Sequence, residues 1–276
     1  MKGIIALDID GTITKSKDEL HPEMIDFLNS LISKEYYLIF ITGRTLAFAK
    51  PIFDHLKGTF YAGVQNGAAL YEMPSEKQLS KHYLSTAVLA DLEPFFKALG
   101  RPFLVESGHE NGDICYYKPS DFSFEEKAYL QRRMAISRAP WEAVESFQKL
   151  PIKEFAVAKF FAECAVAEGI AQELAGEMNF NTIVIKDGFK KGSCLAHINR
   201  HDSSKGRALR EFHDRLGQKL PIIAAGDDYN DMAMLMESDV KIVMADAPEE
   251  LKKIADVVAK PAEEQGIIEA INGRIS

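Results

Sequence analysis

The stretch GIIALDIDGT, residues 3–12, places an unbroken apolar run directly before two aspartates, Asp8 and Asp10, and a glycine. A run that is apolar on both faces, without alternation, is typical of a strand buried in a parallel sheet with helices on both sides. We therefore predict such a strand over residues 3–9. Because ligands of open α/β sheets bind beyond the carboxyl ends of the strands, the two aspartates are predicted to lie at a binding crevice.

Buried strands alternate with amphipathic helices after this stretch and again near the C-terminus. A helix is predicted to begin near Pro22, and a second apolar strand, YLIFITG, follows it, so that the segment forms a βαβ unit. The same alternation returns after residue 200, whereas residues 84–189 mix short strands and helices as an α+β domain does. The predicted fold is therefore α/β, with a Rossmann-like parallel-sheet core over residues 1–83 and 190–276 and an inserted α+β cap domain.

A tight turn is predicted at the tetrapeptide QNGA, residues 65–68, which follows a third apolar strand, TFYAGV. Asn-Gly is a strong hairpin signal because both residues tolerate the left-handed backbone that short turns need. The inserted domain follows this hairpin. An insert at that place is expected to exclude water from the crevice and to contact the part of the substrate beyond its reacting group.

Composition and charge exclude several classes of protein. The chain has 276 residues, of which 46% are hydrophobic, so it can bury a large core. Its formal net charge of −8 argues against a general nucleic-acid surface. No apolar run approaches the roughly 20 residues of a membrane span, and the N-terminal run is too short for a signal peptide. We expect a cytoplasmic protein with no nucleic-acid, membrane or obligate protein partner.

The three cysteines, Cys115, Cys164 and Cys194, lie far apart in the sequence and form no CxxC pair. An odd number of cysteines without close spacing is not typical of a disulfide framework or of a zinc site. We therefore expect all three to be reduced thiols with a structural role.

Polar side chains follow three of the predicted strands. Asp8 and Asp10 follow the first strand, Thr42 ends the second, and Asp227 and Asp231 follow the strand IIAAG. A single acid at such a place is more often a helix cap or a solvated side chain, so the prediction depends on the whole group. If the strands are parallel neighbours, these side chains meet at one edge of the sheet, where carboxylates repel one another or require a cation. Ligands that are all oxygens favour a hard ion, Mg²⁺ rather than zinc.

Donors for an anion are predicted at the same edge. Gly11 lets the backbone approach a ligand closely, and Thr12 offers a hydroxyl donor. Thr42 and Gly43 repeat this chemistry at the second strand, and Lys205 opens a helix, where its charge adds to the helix dipole. Donors from three elements beside a metal suit the oxygens of a phosphoryl group.

Four short motifs occur in order along the chain: DIDGT (8–12), ITGR (41–44), SKG (204–206) and GDDYND (226–231). Through them the sequence resembles the haloacid dehalogenase-like hydrolases, in particular the Cof-type sugar-phosphate phosphatases with a large α+β cap of the C2 type. TGR and SKG are weak signals, whereas DxDGT after a buried first strand, followed by GDxxND after a later one, is specific. The resemblance covers both core segments and matches the middle of the chain mainly in size and position.

This resemblance implies that two acids are catalytic and that four hold or support a metal ion. Asp8 is the expected nucleophile, which forms an aspartyl-phosphate, and Asp10 is the expected acid and base. Mg²⁺ is expected to be held by the Asp8 carboxylate, the Asp10 backbone carbonyl and Asp227. Asp231 is expected to support the metal site.

The resemblance also implies how a substrate is held. The residues expected to bind the substrate phosphate are Thr42, Gly43, Lys205 and Asn230. One departure from the family is the pair Ala245-Asp246, where relatives often carry Gly-Asn. The additional negative charge of Asp246 is expected to face solvent, as charged side chains in loops usually do.

The function implied is Mg²⁺-dependent hydrolysis of small phosphomonoesters, in particular sugar phosphates, through an aspartyl-phosphate intermediate. One alternative is a phosphosugar mutase or another phosphotransferase, which keeps its aspartyl-phosphate away from water. Another is a non-catalytic regulatory domain that accepts a phosphate, although receiver domains of that kind are about half this length and phosphorylate an Asp after a later strand. A binding module that has lost catalysis is a third.

Overall fold

The computed structural model describes residues 1–16, 19–187 and 190–275. The chain divides into two compact units, which we call the core unit and the insert unit. The core unit comprises Met1–Arg44, Ala49–Lys81 and the chain from Ser204 onward, and the insert unit comprises Thr45–Phe48 and His82–Ser203.

The strands are numbered in chain order through both units. They are β1 (Gly3–Leu7), β2 (Tyr36–Ile41), β3 (Phe60–Val64), β4 (Ala69–Met73), β5 (Lys77–Lys81), β6 (Leu84–Ser85), β7 (Leu104–Glu106), β8 (Cys115–Tyr117), β9 (Trp141–Ala143), β10 (Glu154–Phe155), β11 (Val157–Glu163), β12 (Phe180–Lys186), β13 (Ser193–Arg200), β14 (Ile222–Gly226), β15 (Val240–Met244) and β16 (Val257–Ala259).

The helices are numbered in the same way. They are α1 (Pro22–Ser33), α2 (Leu46–Phe53), α3 (Leu89–Ala98), α4 (Phe124–Ile136), α5 (Cys164–Met178), α6 (Lys205–Arg215), α7 (Met232–Met236), α8 (Glu249–Ile254) and α9 (Gly266–Asn272). One-turn 3₁₀ helices lie at Thr86–Val88, His109–Asn111, Pro119–Asp121, Phe147–Lys149, Tyr229–Asp231 and Ala262–Glu264. Within the described ranges, no helix combines the length and the apolar character that crossing a bilayer requires.

The core unit is built on an eight-stranded sheet with the order β16-β15-β14-β1-β2-β3-β4-β5. β1 pairs in parallel with β2 and with β14, so that Leu7 lies between Phe40 and Ala225. Each of these strands is almost wholly buried, because helices cover both faces of a parallel sheet. The predicted α/β fold with a parallel-sheet core is therefore confirmed, and the antiparallel strands β4 and β5 extend it.

The first strand is shorter than the apolar run predicts. β1 ends at Leu7 rather than at residue 9 because the backbone turns there. The amides of Thr12 and Ile13 both donate to the carbonyl oxygen of Ile9, and the backbone of Gly11 is left-handed, with φ at 85°. Ile9 is fully buried although it lies in the turn. The apolar pattern therefore indicates a buried residue at this position but does not indicate a strand.

The insert unit contains a six-stranded sheet with the order β12-β13-β11-β7-β8-β9. Apolar side chains of this sheet and of two helices form one buried cluster, which includes Phe160 of β11, Phe96 of α3 and Leu174 of α5. β13 was not predicted, and it pairs with β11 and β12. For this reason the insert unit extends to Ser203, whereas the predicted cap domain ends at residue 189.

The prediction that all three cysteines are reduced is wrong for two of them. Cys164, at the start of α5, and Cys194, in β13, form a disulfide between residues 30 positions apart. The register of β11 against β13 pairs Ala162 with Cys194, which brings the start of α5 beside that strand. Cys115 is a buried free thiol, as predicted.

Candidate active site

Three of the predicted acids converge beyond the ends of β1 and β14. Asp8 follows β1 directly, and its amide donates to the carbonyl oxygen of Ala225 in β14 at 3.0 Å. Asp227 follows β14, and Asp231 lies one turn further along the chain. One carboxylate oxygen from each of Asp8, Asp227 and Asp231 lies within 4.8 Å of the others. The parallel pairing of neighbouring strands therefore places these acids together, as the sequence predicts.

Lys205 joins this group of carboxylates through two short ion pairs. Its Nζ donates to Asp8 Oδ1 at 2.7 Å and to Asp231 Oδ1 at 2.6 Å. The Lys205 side chain is 1% exposed, and that of Asp231 is fully buried. Lys205 is the first residue of α6, and the hydroxyl of Ser204 caps this helix by accepting from the amide of Arg207. The motif SKG thus places an ammonium group at a capped helix start.

Two glycines allow the backbone to approach the acids. A Cβ added to Gly11 would lie 2.1 Å from Asp227 Oδ2, and one added to Gly226 would lie 2.4 Å from the Cβ of Asp231. No side chain fits at such distances, so both positions require glycine. Thr12, which is fully buried, donates its hydroxyl to Asp227 Oδ1 at 3.2 Å.

Asp231 also holds the loop that carries Asp227. Its Oδ2 accepts from the amides of Asp227 at 3.0 Å and Asp228 at 3.1 Å, while its Oδ1 binds Lys205. Both carboxylate oxygens are therefore engaged, one by the backbone and one by the ammonium group. Asp231 is consequently as much a support for the loop after β14 as a source of charge.

Burial and mutual repulsion shift the titration of this group. Burial raises the pKa of Asp8 to about 7, with Asp231 and Asp10 adding to the rise and Lys205 opposing it. Burial, together with the charges of Asp8 and Asp231, raises the pKa of Asp227 to about 9. Burial acts to lower the pKa of Lys205, but Asp231 and Asp8 outweigh it and raise that pKa, so Lys205 stays charged. The carboxylates thus exceed the charge that Lys205 neutralises, and an all-oxygen set of this kind fits a hard divalent cation such as Mg²⁺.

The Asp10 carboxylate is paired differently from the other three. Arg44 donates from Nε to Asp10 Oδ2 at 2.8 Å and from Nη2 to Oδ1 at 2.7 Å, a bidentate pair. The guanidinium belongs to a side chain that is 3% exposed, whereas the Asp10 side chain is 56% exposed. Arg44 is a functional candidate to which the sequence analysis gave no role, although it stands in the motif ITGR.

The remaining predicted site residues lie around Asn66. Thr42 is fully buried, and its hydroxyl oxygen accepts from the amide of Arg44 at 3.2 Å. Asn230 donates from Nδ2 to Asn66 Oδ1 at 3.2 Å, and a Cβ added to Gly43 would lie 3.3 Å from the same oxygen. The turn motif QNGA therefore brings a side chain into the site, which its hairpin signal alone does not indicate.

Asp246, which departs from the family pattern, lies in a solvated ion-pair group. It accepts from Lys15 Nζ at 2.6 Å, and the two side chains are about half exposed, at 52% and 43%. Lys15 also pairs with Glu263 at 2.8 Å. Asp246 therefore faces solvent, as expected.

Comparison with known proteins identifies relatives over almost the whole chain. The profile of a family described as haloacid dehalogenase-like hydrolases matches residues 5–271. The pyridoxal phosphate phosphatase YbhA of Escherichia coli is 26% identical over 266 residues, which cover 92% of each chain. A phosphoglycolate phosphatase of Methanothermobacter thermautotrophicus is 23% identical over 268 residues, which cover 97% of this chain and 96% of the relative.

The fold is also shared with solved structures. A sugar phosphatase of haloacid dehalogenase subclass IIB superposes with a TM-score of 0.75 and 19% identity, and the match covers 98% of each chain. The two proteins therefore share their fold over almost the whole of both chains.

Proposed function

Because the chain belongs to the haloacid dehalogenase-like hydrolases, we propose that it is a Mg²⁺-dependent phosphatase of small phosphomonoesters, sugar phosphates among them, that works through an aspartyl-phosphate. The observation that carries the proposal is the group of carboxylates Asp8, Asp227 and Asp231, in which the buried ammonium of Lys205 binds Asp8 and Asp231. Relatives named for pyridoxal phosphate and for phosphoglycolate support small phosphate esters as the substrate class.

In the first half of the proposed reaction, a carboxylate oxygen of Asp8 attacks phosphorus, and the bond from phosphorus to the ester oxygen breaks. Asp10 gives its proton to the leaving oxygen. In the second half, Asp10 takes a proton from water, whose oxygen attacks the phosphorus of the aspartyl-phosphate. The bond from phosphorus to the Asp8 oxygen breaks, which releases inorganic phosphate and restores the Asp8 carboxylate. The covalent route divides one difficult displacement between anions into two easier steps, and one acid serves both with opposite protonation.

The neighbours of both acids support these roles. Lys205 lies 2.7 Å from Asp8 and favours its ionised, nucleophilic form against the effect of burial. Arg44 holds the ionised carboxylate of Asp10 in one orientation through its bidentate pair, which suits the base that the second half requires. The nucleophile and the proton carrier are therefore held by two different cationic side chains.

Mg²⁺ would be held by the carboxylates of Asp8 and Asp227 with the backbone carbonyl of Asp10, and Asp231 would support the site. When bound, the ion supplies positive charge between two anions that must approach each other. The excess of carboxylate around Lys205 supports this assignment.

The phosphoryl oxygens would be bound by Thr42, Gly43, Lys205 and Asn230. The hydroxyl of Thr42 and the amide of Asn230 supply neutral donors, and Lys205 supplies charge. These donors come from three different segments of the core unit, which suits a group with three equivalent oxygens.

A substrate panel with and without Mg²⁺ tests the proposal. Pyridoxal phosphate, phosphoglycolate, hexose phosphates and p-nitrophenyl phosphate are incubated with wild type, with Asp8→Asn and with Asp26→Asn, a control at an exposed aspartate of α1. We expect Mg²⁺-dependent release of phosphate by wild type and the control, and none by Asp8→Asn.

Other outcomes would contradict it. Release of phosphate by Asp8→Asn at the wild-type rate would exclude the aspartyl-phosphate route. Conversion of a hexose 1-phosphate to the 6-phosphate without release would identify a mutase. A stable phosphorylated protein with no turnover would identify a regulatory domain.

A further inference from the structure

The turn between β3 and β4 has an unusual backbone for a buried segment. Gln65, Asn66 and Gly67 all have positive φ, at 51°, 60° and 86°. The side chains of Gln65 and Asn66 are nevertheless buried, at 0% and 1% exposed. A glutamine in this region is disfavoured, and such conformations persist where the surroundings require them. The predicted hairpin is present, since Val64 pairs with Ala69, but a hairpin does not by itself need a buried turn.

The first contact of this turn is with the segment after β2. The amide of Asn66 donates to the carbonyl oxygen of Thr42, and the amide of Gln65 donates to that of Arg44, both at 2.8 Å. The amide of Thr42 in turn donates to the carbonyl oxygen of Gly63 at 2.8 Å. The backbone around Thr42 and Gly43, which we assign to phosphate binding, is therefore fixed to this turn on both sides.

The turn also contacts the two other segments of the proposed phosphate site. Asn66 Oδ1 accepts from Asn230 Nδ2 at 3.2 Å, which ties the turn to the loop after β14. A Cβ added to Gly67 would lie 2.4 Å from the carbonyl oxygen of Ser204 and 2.9 Å from the Cβ of Ala208. The backbone at Gly67 thus lies against the first turn of α6, which begins with Lys205.

We propose that the turn Gln65–Gly67 is the common support of the phosphate-binding groups, and that Asn66 is a positioning residue that acts through Asn230. The inference rests on the proposed function. An amide side chain has one acceptor end and one donor end, and the acceptor Asn66 Oδ1 determines which end of Asn230 lies at the turn. One N–H of Asn230 is held by Asn66, and the second is then available to a phosphoryl oxygen. Without Asn66, the Asn230 amide can rotate and present its oxygen to the anion.

The variant Asn66→Gly separates the side chain from the backbone, because glycine adopts positive φ readily and retains the turn. Asn179→Gly is the matched control, since Asn179 is exposed, has φ of 55° and ends α5 in the insert unit. We expect Asn66→Gly to lower kcat/KM for p-nitrophenyl phosphate about fivefold, the effect of one hydrogen bond. The calorimetric dissociation constant of inorganic phosphate should rise by a similar factor, while Tm changes no more than in the control.

A double-variant cycle with Asn230→Ala tests the route of the effect. If Asn66 acts through Asn230, Asn66→Gly causes no additional loss of phosphate affinity or kcat/KM in the Asn230→Ala background. Equal losses in both backgrounds, or no loss relative to Asn179→Gly, would overturn the inference. A wild type that binds phosphate without hydrolysing esters would overturn the proposed function instead, and the binding cycle would still decide the role of Asn66.

Discussion

The core unit and the insert unit both bury charged side chains, but they balance the charges differently. In the core unit, the three carboxylates of Asp8, Asp227 and Asp231 share one ammonium group, that of Lys205, which binds Asp8 and Asp231. In the insert unit, two buried carboxylates each pair with one cation: Glu106 with Lys159 at 2.6 Å, and Asp187 with Arg133 at 3.0 Å. Each insert pair has one charge of each sign, whereas the core group has three carboxyl groups for one ammonium group.

This difference separates a candidate site from a structural contact. Burying unbalanced carboxylates costs free energy, which the raised pKa values of Asp8 and Asp227 express. A protein maintains such a group where a cation or a substrate compensates it, and perturbed groups of this kind are concentrated at functional sites. A paired group such as Glu106 with Lys159 needs no further partner.

The largest expected effect is loss of activity when the core cation is removed. Lys205→Ala removes the charge that neutralises Asp8 and the proposed phosphate, and kcat/KM for p-nitrophenyl phosphate should fall about a thousandfold. Lys219→Ala, at an exposed lysine of the core unit, is the control and should keep wild-type activity. Wild-type kinetics in Lys205→Ala would place the phosphate site elsewhere.

Loss of the pair between Glu106 and Lys159 in the insert unit should lower the stability of the protein. Glu106→Gln leaves the Lys159 ammonium, which belongs to a side chain 11% exposed, without its carboxylate, and should lower the free energy of unfolding by about 3 kcal/mol. In Glu106→Gln/Lys159→Met both charges are removed, so the loss should be smaller than the sum of the single losses. Urea unfolding of the four proteins measures this, and additive losses would show that the two charges do not depend on each other.

Mg²⁺ should stabilise the core unit through its excess carboxylates. At a hundred times its dissociation constant, an ion that binds only the folded protein adds about 2.7 kcal/mol to the free energy of unfolding. The rise in Tm with Mg²⁺ should persist in Glu106→Gln and disappear in Asp227→Ala. An equal rise in Asp227→Ala would remove that residue from the metal site.

The smallest expected effect concerns pH and the insert unit. Burial, with the charges of Lys159 and Arg133 nearby, holds the pKa of His197 well below its usual 6.5. Below pH 6.5 the unfolded chain therefore binds a proton at His197 that the folded protein does not, and stability falls as pH falls, by at most about 1.4 kcal/mol per pH unit. Above pH 6.5 this contribution is constant.

His197→Gln tests this slope against His201→Gln, a control at an exposed histidine in the same unit. The free energy of unfolding between pH 6.5 and the acid limit should depend less steeply on pH in His197→Gln than in wild type or the control. An unchanged slope would show that His197 takes up its proton in the folded protein.

The parallel core was predictable because its central strands are unbroken apolar runs, which indicate burial on both faces. Ile4 to Leu7 are apolar at every position and fully buried, as a central parallel strand requires. β13 was not predictable on the same basis, since its buried positions include His197 and Asn199, which resemble loop residues. The disulfide was missed for a related reason, because it depends on the register of β13 against β11 and not on cysteine spacing.

The motifs predicted the acids of the candidate site but not their supports. Asp8, Asp227 and Lys205 stand directly after strand ends or at a helix start, where sequence position already implies location. Arg44 reaches Asp10 from 34 residues away, and Asn66 reaches Asn230 from 164 residues away. Contacts of this kind are made by the paths of two loops, so no local pattern could indicate them.

The two glycines against the acids limit how this chain can vary over generations. An added Cβ would lie 2.1 Å from Asp227 Oδ2 at Gly11 and 2.4 Å from the Asp231 Cβ at Gly226. Every missense change of either codon adds such an atom, whereas a single base change can turn an aspartate codon into one for asparagine, which has nearly the same shape. A descendant lineage can therefore exchange the charges of this site one mutation at a time, whereas every amino-acid replacement of Gly11 or Gly226 adds an atom in contact with an acid.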